Sequence, residues 1–132
     1  MPTMEERLRA FFEAGPREAV AAYLFGSFAR GEQRPSSDVD VAVLYRALPP
    51  STLDAPQFAL EADLEQMLGR DVQVIVLDTA SPDLVHRVLR DGKVVLDRDP
   101  SARIAFEVWA RNEYFDIEPV LRRYRRPSER SP

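Results

Sequence analysis

Apolar and polar positions change period several times along this chain, and the changes mark its elements. From Met4 to Ala14 the period is helical: Leu8, Phe11 and Phe12 share one face, and Glu5, Glu6, Arg7 and Arg9 lie mostly on the other. Thr3 followed by Glu6 fits a capping box, and Gly15-Pro16 ends the helix. Val20 to Phe25 is almost unbroken in apolar residues, the pattern of a central strand covered on both faces. A second strand is predicted over about Val39 to Leu44. Pro49-Pro50 breaks the chain, and Ser51 to Pro56 is turn-like. Helical spacing returns from Gln57 to Leu68, with Phe58, Leu60, Leu64, Met67 and Leu68 apolar and Gly69 as terminator. Asp71 to Leu77 alternates as a third strand: Val72, Val74 and Val76 on one face, Asp71, Gln73, Ile75 and Leu77 on the other.

Beyond that strand, Asp78 to Pro82 reads as a loop. Ser81 caps a short helix that has Pro82 at its first position and runs to about Arg90. Asp91-Gly92 turns the chain into a last strand, Val94 to Leu96. Ser101 opens a long helix reaching about Arg125, which Pro119 is expected to kink or restart. Its apolar positions include Ile104, Phe106, Val108, Trp109, Tyr114, Phe115, Ile117, Val120 and Leu121, and Trp109 with its neighbours is expected in the core. Three or four strands alternating with helices predict an α/β fold, a mixed sheet with helices mainly on one face. Residues 1–126 are expected to form one domain, and 127–132 a disordered tail.

Composition narrows the class without naming a function. The chain has 132 residues, 45% hydrophobic and 30% charged, enough for one globular core. Its net charge of −4 argues against general nucleic-acid binding. It has no cysteine, hence no disulfide or thiol chemistry, and cytoplasmic location is the default. No apolar run approaches the roughly 20 residues of a membrane helix, and Met1 to Glu13 lacks a signal-peptide core.

The chemistry concentrates between the first two strands, in Gly26-Ser27-Phe28-Ala29-Arg30-Gly31 and Ser37-Asp38-Val39-Asp40. Alternate strand residues share a face at about 6.6 Å, so Asp38 and Asp40 point together. Two adjacent carboxylates repel unless a cation lies between them. Mg²⁺ suits such a site, being held by one or two carboxylates plus substrate phosphates. Gly26 lets the backbone approach a ligand closely, and Ser27 adds a hydroxyl. The pair reads as a phosphate cradle facing a metal platform.

Gly-Ser, ten residues and Asp-x-Asp together resemble the signature of the polymerase-β-type nucleotidyltransferases, and the short chain resembles their minimal (MNT) members. The resemblance covers about Ala21 to Arg126. It implies transfer of a nucleotide from a triphosphate, with two Mg²⁺ ions about 3.5–4 Å apart clamping the attacking and leaving oxygens. Asp38 and Asp40 would hold metal. Gly26, Ser27, Arg30 and Ser37 would hold the nucleotide, Gly26 and Ser27 taking the β and γ phosphates. The family's third carboxylate falls on Gln73, whose amide can ligate a metal but cannot accept a proton. Asp71 shares its parity and would serve if the strand bulged; Asp78 does not share it.

Stand-alone minimal members are similar to antitoxins that transfer AMP from ATP to a tyrosine of a HEPN-type RNase toxin. That reading implies a protein adenylyltransferase with a HEPN partner and ATP as substrate. The alternative is a catalytically impaired antitoxin that neutralises the toxin by binding alone. Arg122, Arg123, Arg125 and Arg126 form a basic cluster in an acidic chain, a candidate dock for that partner rather than for nucleic acid. His86, the only histidine, reads as a packed or capping residue, and Tyr45 could lie near the nucleotide.

Overall fold

A computed structural model describes residues 1–45 and 56–130; the side chains of Pro56, Leu121 and residues 124–130 lie outside the described set. The order is α1 (Met4–Ala14), β1 (Ala19–Phe25), α2 (Ser27–Arg30), β2 (Val39–Tyr45), α3 (Pro56–Leu68), β3 (Val72–Val76), a 3₁₀ turn (Leu77–Thr79), α4 (Pro82–Asp91), β4 (Lys93–Asp97) and α5 (Pro100–Arg130). The expected break at Pro49-Pro50 and the turn-like stretch from Ser51 lie outside the described residues, which resume at Pro56, the first residue of α3. Local caps form as the sequence predicts. Thr3 and Glu6 close a capping box on α1, and the Ser81 hydroxyl accepts the Leu84 N–H at 3.3 Å with Pro82 in the first turn of α4.

The four strands form one mixed sheet in the order β3-β2-β1-β4. β1 is antiparallel to β2 and to β4, and β2 is parallel to β3. The helices cover both faces of this sheet, not mainly one. On one face Leu8 and Phe12 of α1 and Leu60 and Leu64 of α3 pack on Val41, Val43 and Val74. On the other, Val85 and Val88 of α4 and Ala110 of α5 pack on Ala21, Tyr23, Ala42 and Leu44. The reason lies in β1 and β2 themselves. Both are buried on both faces almost throughout, so each face needs its own cover.

Two polar clusters pin the helices to the sheet. The Arg98 guanidinium, just past β4, donates to the carbonyls of Phe12 (2.6 Å), Ala19 (3.1 Å) and Pro16, tying the end of α1 to β1. Tyr23 of β1 donates its hydroxyl to Glu107 of α5 at 2.7 Å. Arg103 binds both Glu107 (2.8 Å) and Asp97 of β4 (3.1 Å).

The long helix runs through Pro119 without restarting. A helix-interior proline removes one ladder hydrogen bond, and the turns on either side still close theirs. Trp109 is not core: it is 56% exposed, and Ile104, Val108, Phe115 and Val120 are also exposed. α5 carries more apolar positions than one stripe can bury. Phe106 and Ala110 reach the sheet side, and Ile104, Val108, Trp109, Phe115 and Val120 face outward. His86 does pack, stacking on Tyr114 of α5 with ring centroids 3.7 Å apart.

Candidate active site

The turn from β1 into α2 is shaped by one glycine. Gly26 has φ +75°, and a Cβ there would lie 2.2 Å from Asp40 Oδ2. No other residue allows β1's end to pass so close to the carboxylate of β2. α2 is one short turn, held by Ala29 and Arg30 N–H bonds to the Gly26 carbonyl at 3.1 and 3.2 Å. It points Ser27 and Arg30 back toward the strand ends. β2 then brings Asp38 and Asp40 to the same side, while Val39 and Val41 are fully buried on the opposite face.

These elements floor a cleft of about 650 Å³. All seven residues predicted for the site, Gly26, Ser27, Arg30, Ser37, Asp38, Asp40 and Gln73, line it. Gln73 stands opposite Asp40 in the parallel register of β2 and β3. Its side chain is exposed, between the buried Val72 and Val74. Asp71 does not line the cleft, because the β2–β3 register runs without a bulge from Val39↔Val72 to Val43↔Val76. Asp78 is used elsewhere, accepting the Tyr45 N–H at 3.1 Å. Tyr45 is buried and does not line the cleft. The Ser37 hydroxyl already accepts the Arg34 N–H at 2.7 Å, and the Ser37 carbonyl accepts from Arg70 at 3.0 Å. Ser37 therefore shapes the approach to Asp38.

Charge in the cleft is divided. Burial, and then the neighbouring Asp38 carboxylate, push the Asp40 carboxyl above its usual range, and the Arg30 guanidinium pulls it back. Negative charge is thus concentrated at the exposed Asp38 and the half-buried Asp40, as suits a cation site. That donor set fits a hard divalent metal: two carboxylates, a neighbouring neutral amide oxygen at Gln73, and open space toward the cradle. Asp38 and Asp40 would hold the ion, which when bound polarises phosphoryl oxygens and neutralises their charge. Among the described residues no group of three or more His, Cys, Asp or Glu gathers closely enough to hold a metal. Any such ion would therefore lean on phosphate oxygens for its remaining ligands.

The sequence pattern missed the second wall. α4 supplies Leu84, Arg87, Arg90 and Asp91, while Phe25 and Ile75 complete the floor. Asp91 takes two hydrogen bonds from Arg90, at 3.1 and 3.0 Å, and lies 4.0 Å from Arg30 Nη1. Arg90's hydrogen bonds hold its carboxyl below the usual range. Leu84, Arg87 and Asp91 are spaced as one helical face, a signal present in the sequence. Which way that face turns is a tertiary fact.

A sequence profile described as polymerase beta, nucleotidyltransferase, matches residues 6–101. A Methanocaldococcus jannaschii protein with a provisional protein adenylyltransferase name is 37% identical over 75 residues, covering 57% of this chain and 77% of that one. Protein adenylyltransferase MntA of Shewanella oneidensis is 39% identical over 72 residues, covering 54% of this chain and about half of that one, 49%. Among solved structures, a chain from a toxin–antitoxin crystal structure with AMP-PNP superposes with TM-score 0.72 at 24% identity, over 94% of both chains. One from a complex of tri-AMPylated Shewanella oneidensis HEPN toxin with MNT antitoxin gives TM-score 0.64 at 22% identity, also over 94% of both. At those identities the structural likeness speaks for the fold. Family membership implies a nucleotide substrate and a divalent metal, which is what a glycine-gated cradle beside paired carboxylates is suited to hold. The chain belongs to the polymerase beta nucleotidyltransferase family.

Proposed function

We propose that this chain is an antitoxin-type protein adenylyltransferase, moving AMP from ATP to a tyrosine hydroxyl of a HEPN RNase toxin in a Mg²⁺-dependent reaction. The observation that carries the reading is the close packing of Gly26 on Asp40, where a Cβ would lie 2.2 Å from Asp40 Oδ2; it supports a phosphate cradle beside the carboxylate pair. The adenylyltransferase names of its relatives and the toxin–antitoxin complexes that share its fold support the acceptor. The phenolic oxygen attacks the α-phosphorus, the bond to the bridging β-oxygen breaks, and pyrophosphate leaves. Gly26 and Ser27 position the β and γ phosphates, Arg30 offsets their charge, and Asp38 and Asp40 would hold Mg²⁺, which would neutralise phosphate charge and polarise the phosphoryl oxygens. Gln73 accepts no proton, so the phenolic proton goes to solvent. A phenol with pKa about 10 tolerates that better than an aliphatic hydroxyl does. The partner docks on α5, where Ile104, Val108, Trp109, Phe115, Val120, Arg122 and Arg123 are exposed; the side chains of Arg125 and Arg126 are outside the described residues. No helix among the described residues is long and apolar enough to cross a membrane.

A second reading is favoured by Gln73 standing opposite Asp40. With a neutral amide there, the chain neutralises its toxin by binding alone. Intact mass of the HEPN partner after incubation with Mg²⁺ and ATP separates the two. Added AMP by this chain, lost in Asp38→Asn with Asp40→Asn while the fold is retained, supports the enzyme. Addition only by Gln73→Asp supports the binding role. Unchanged transfer by the double variant sinks the assigned site.

A further inference from the structure

The cleft has two chemically different ends. Its floor crosses three strands in order: Gly26 at the end of β1, Asp40 on β2, and Gln73 with Ile75 on β3. Its wall, α4, is fixed at the β1 end by Asp91, 4.0 Å from Arg30. Leu84 lies two turns back along the same helical face, about 10 Å away. The β1 end carries the cations Arg30 and Arg90, and Arg87 lies between that end and Leu84 along α4. The other carries the half-buried side chains of Ile75 and Leu84, both lining the cleft.

In-line displacement fixes how a reaction uses such a cleft. The attacking and leaving oxygens lie on opposite sides of the phosphorus. A pyrophosphate leaving group belongs at the cationic end, with Gly26, Ser27 and Arg30. The incoming hydroxyl must then arrive from the β3 end, past Gln73. Whatever carries that hydroxyl lies against Ile75 and Leu84.

We infer that Ile75 and Leu84 form the acceptor ledge, receiving the aryl ring of the acceptor tyrosine while its oxygen meets the α-phosphate beside Gln73. This assignment rests on the proposed function. Apolar side chains on both the floor and the wall select a flat apolar ring carrying a hydroxyl. A serine-bearing segment gains little from them, and a charged one loses solvation. The ledge thus sets acceptor class, and the β1 end sets the hold on the triphosphate.

The absence of cysteine makes the test direct, since Leu84→Cys carries the only thiol. Its maleimide labelling is followed by intact mass in the full chain, alone, with Mg²⁺ and a non-hydrolysable ATP analogue, and with the HEPN partner. The ledge predicts slowed labelling with the partner and unchanged labelling with the nucleotide. In parallel, Leu84→Ala is expected to raise the acceptor KM by about tenfold or more, with the ATP KM unchanged. Protection by nucleotide alone would put the base at this end and overturn the assignment, as would protection by neither. Size-exclusion and partner mass for the unaltered chain report separately. Neither complex nor transfer there overturns the proposed function itself, whereas a complex with an unprotected Leu84→Cys thiol overturns only the ledge.

Discussion

Gly26 has the least freedom of any residue in the site. Its φ of +75° is strained for an L side chain, and its Cβ position is already occupied by the Asp40 carboxylate. Gly26→Ala must therefore either push Asp40 aside or move the end of β1. The expected result is a loss of about 1–3 kcal/mol in a urea melt, together with loss of Mg·ATP binding by calorimetry. Retained nucleotide affinity would show that the close approach is incidental to the cradle. The same scale explains what the sequence could show here. Asp38, just before β2, and Asp40, within it, are two residues apart, so their shared side is a local property, and Gln73 follows from strand parity. Ser37 was legible as part of the motif, but its hydroxyl also accepts the Arg34 N–H, a bond that no spacing rule reveals.

At the scale of elements, two buried tyrosines of the sheet stay protonated, and one of them, Tyr23, ties β1 to α5. Burial, and then the carboxylates of Asp78 and Glu18, push the Tyr45 phenol up to about 12. Tyr23 moves in the same direction, through burial and the hydrogen bond it donates to Glu107. The unfolded chain ionises its tyrosines near pH 10, so alkali favours unfolding once that value is passed. Stability should hold up to about pH 10 and then fall as the pH rises toward 12. Circular dichroism should then lose structure in step with the rise of tyrosinate absorbance from these two residues. Full ionisation of both in a still-folded chain would contradict their placement. Element positions were largely legible because caps and periods are local. The cover of both sheet faces was only half so. β1's unbroken apolar run announces two covered faces, but which helices supply them depends on how the chain crosses the sheet.

For the whole molecule, α5 is where pattern reading gave the wrong surface. A helical period finds apolar stripes without saying which one meets the sheet. Here Phe106 and Ala110 do, and Trp109 and Phe115 do not. Trp109 is the only tryptophan and is 56% exposed, so it reports on that surface alone. Its emission should lie at the long-wavelength end and be readily quenched by acrylamide. Docking of the HEPN partner on α5 should shift it to shorter wavelength and shield it. Unchanged emission in a formed complex would move the interface off this helix. The cleft wall was illegible for a related reason: α4's face was visible in the sequence, but its partner across the cleft was not.

Gln73 also has a meaning in genetic terms. Its side chain is exposed, and the packing of β3 rests on Val72 and Val74. The fold therefore imposes little penalty on what occupies that position. Glutamine and glutamate codons differ by a single base, so a carboxylate facing Asp40 is one mutational step from the present chain. A lineage can lose or regain charge at this point of the cleft without first repairing its core, and a toxin gene alongside would supply the selection that decides which form persists.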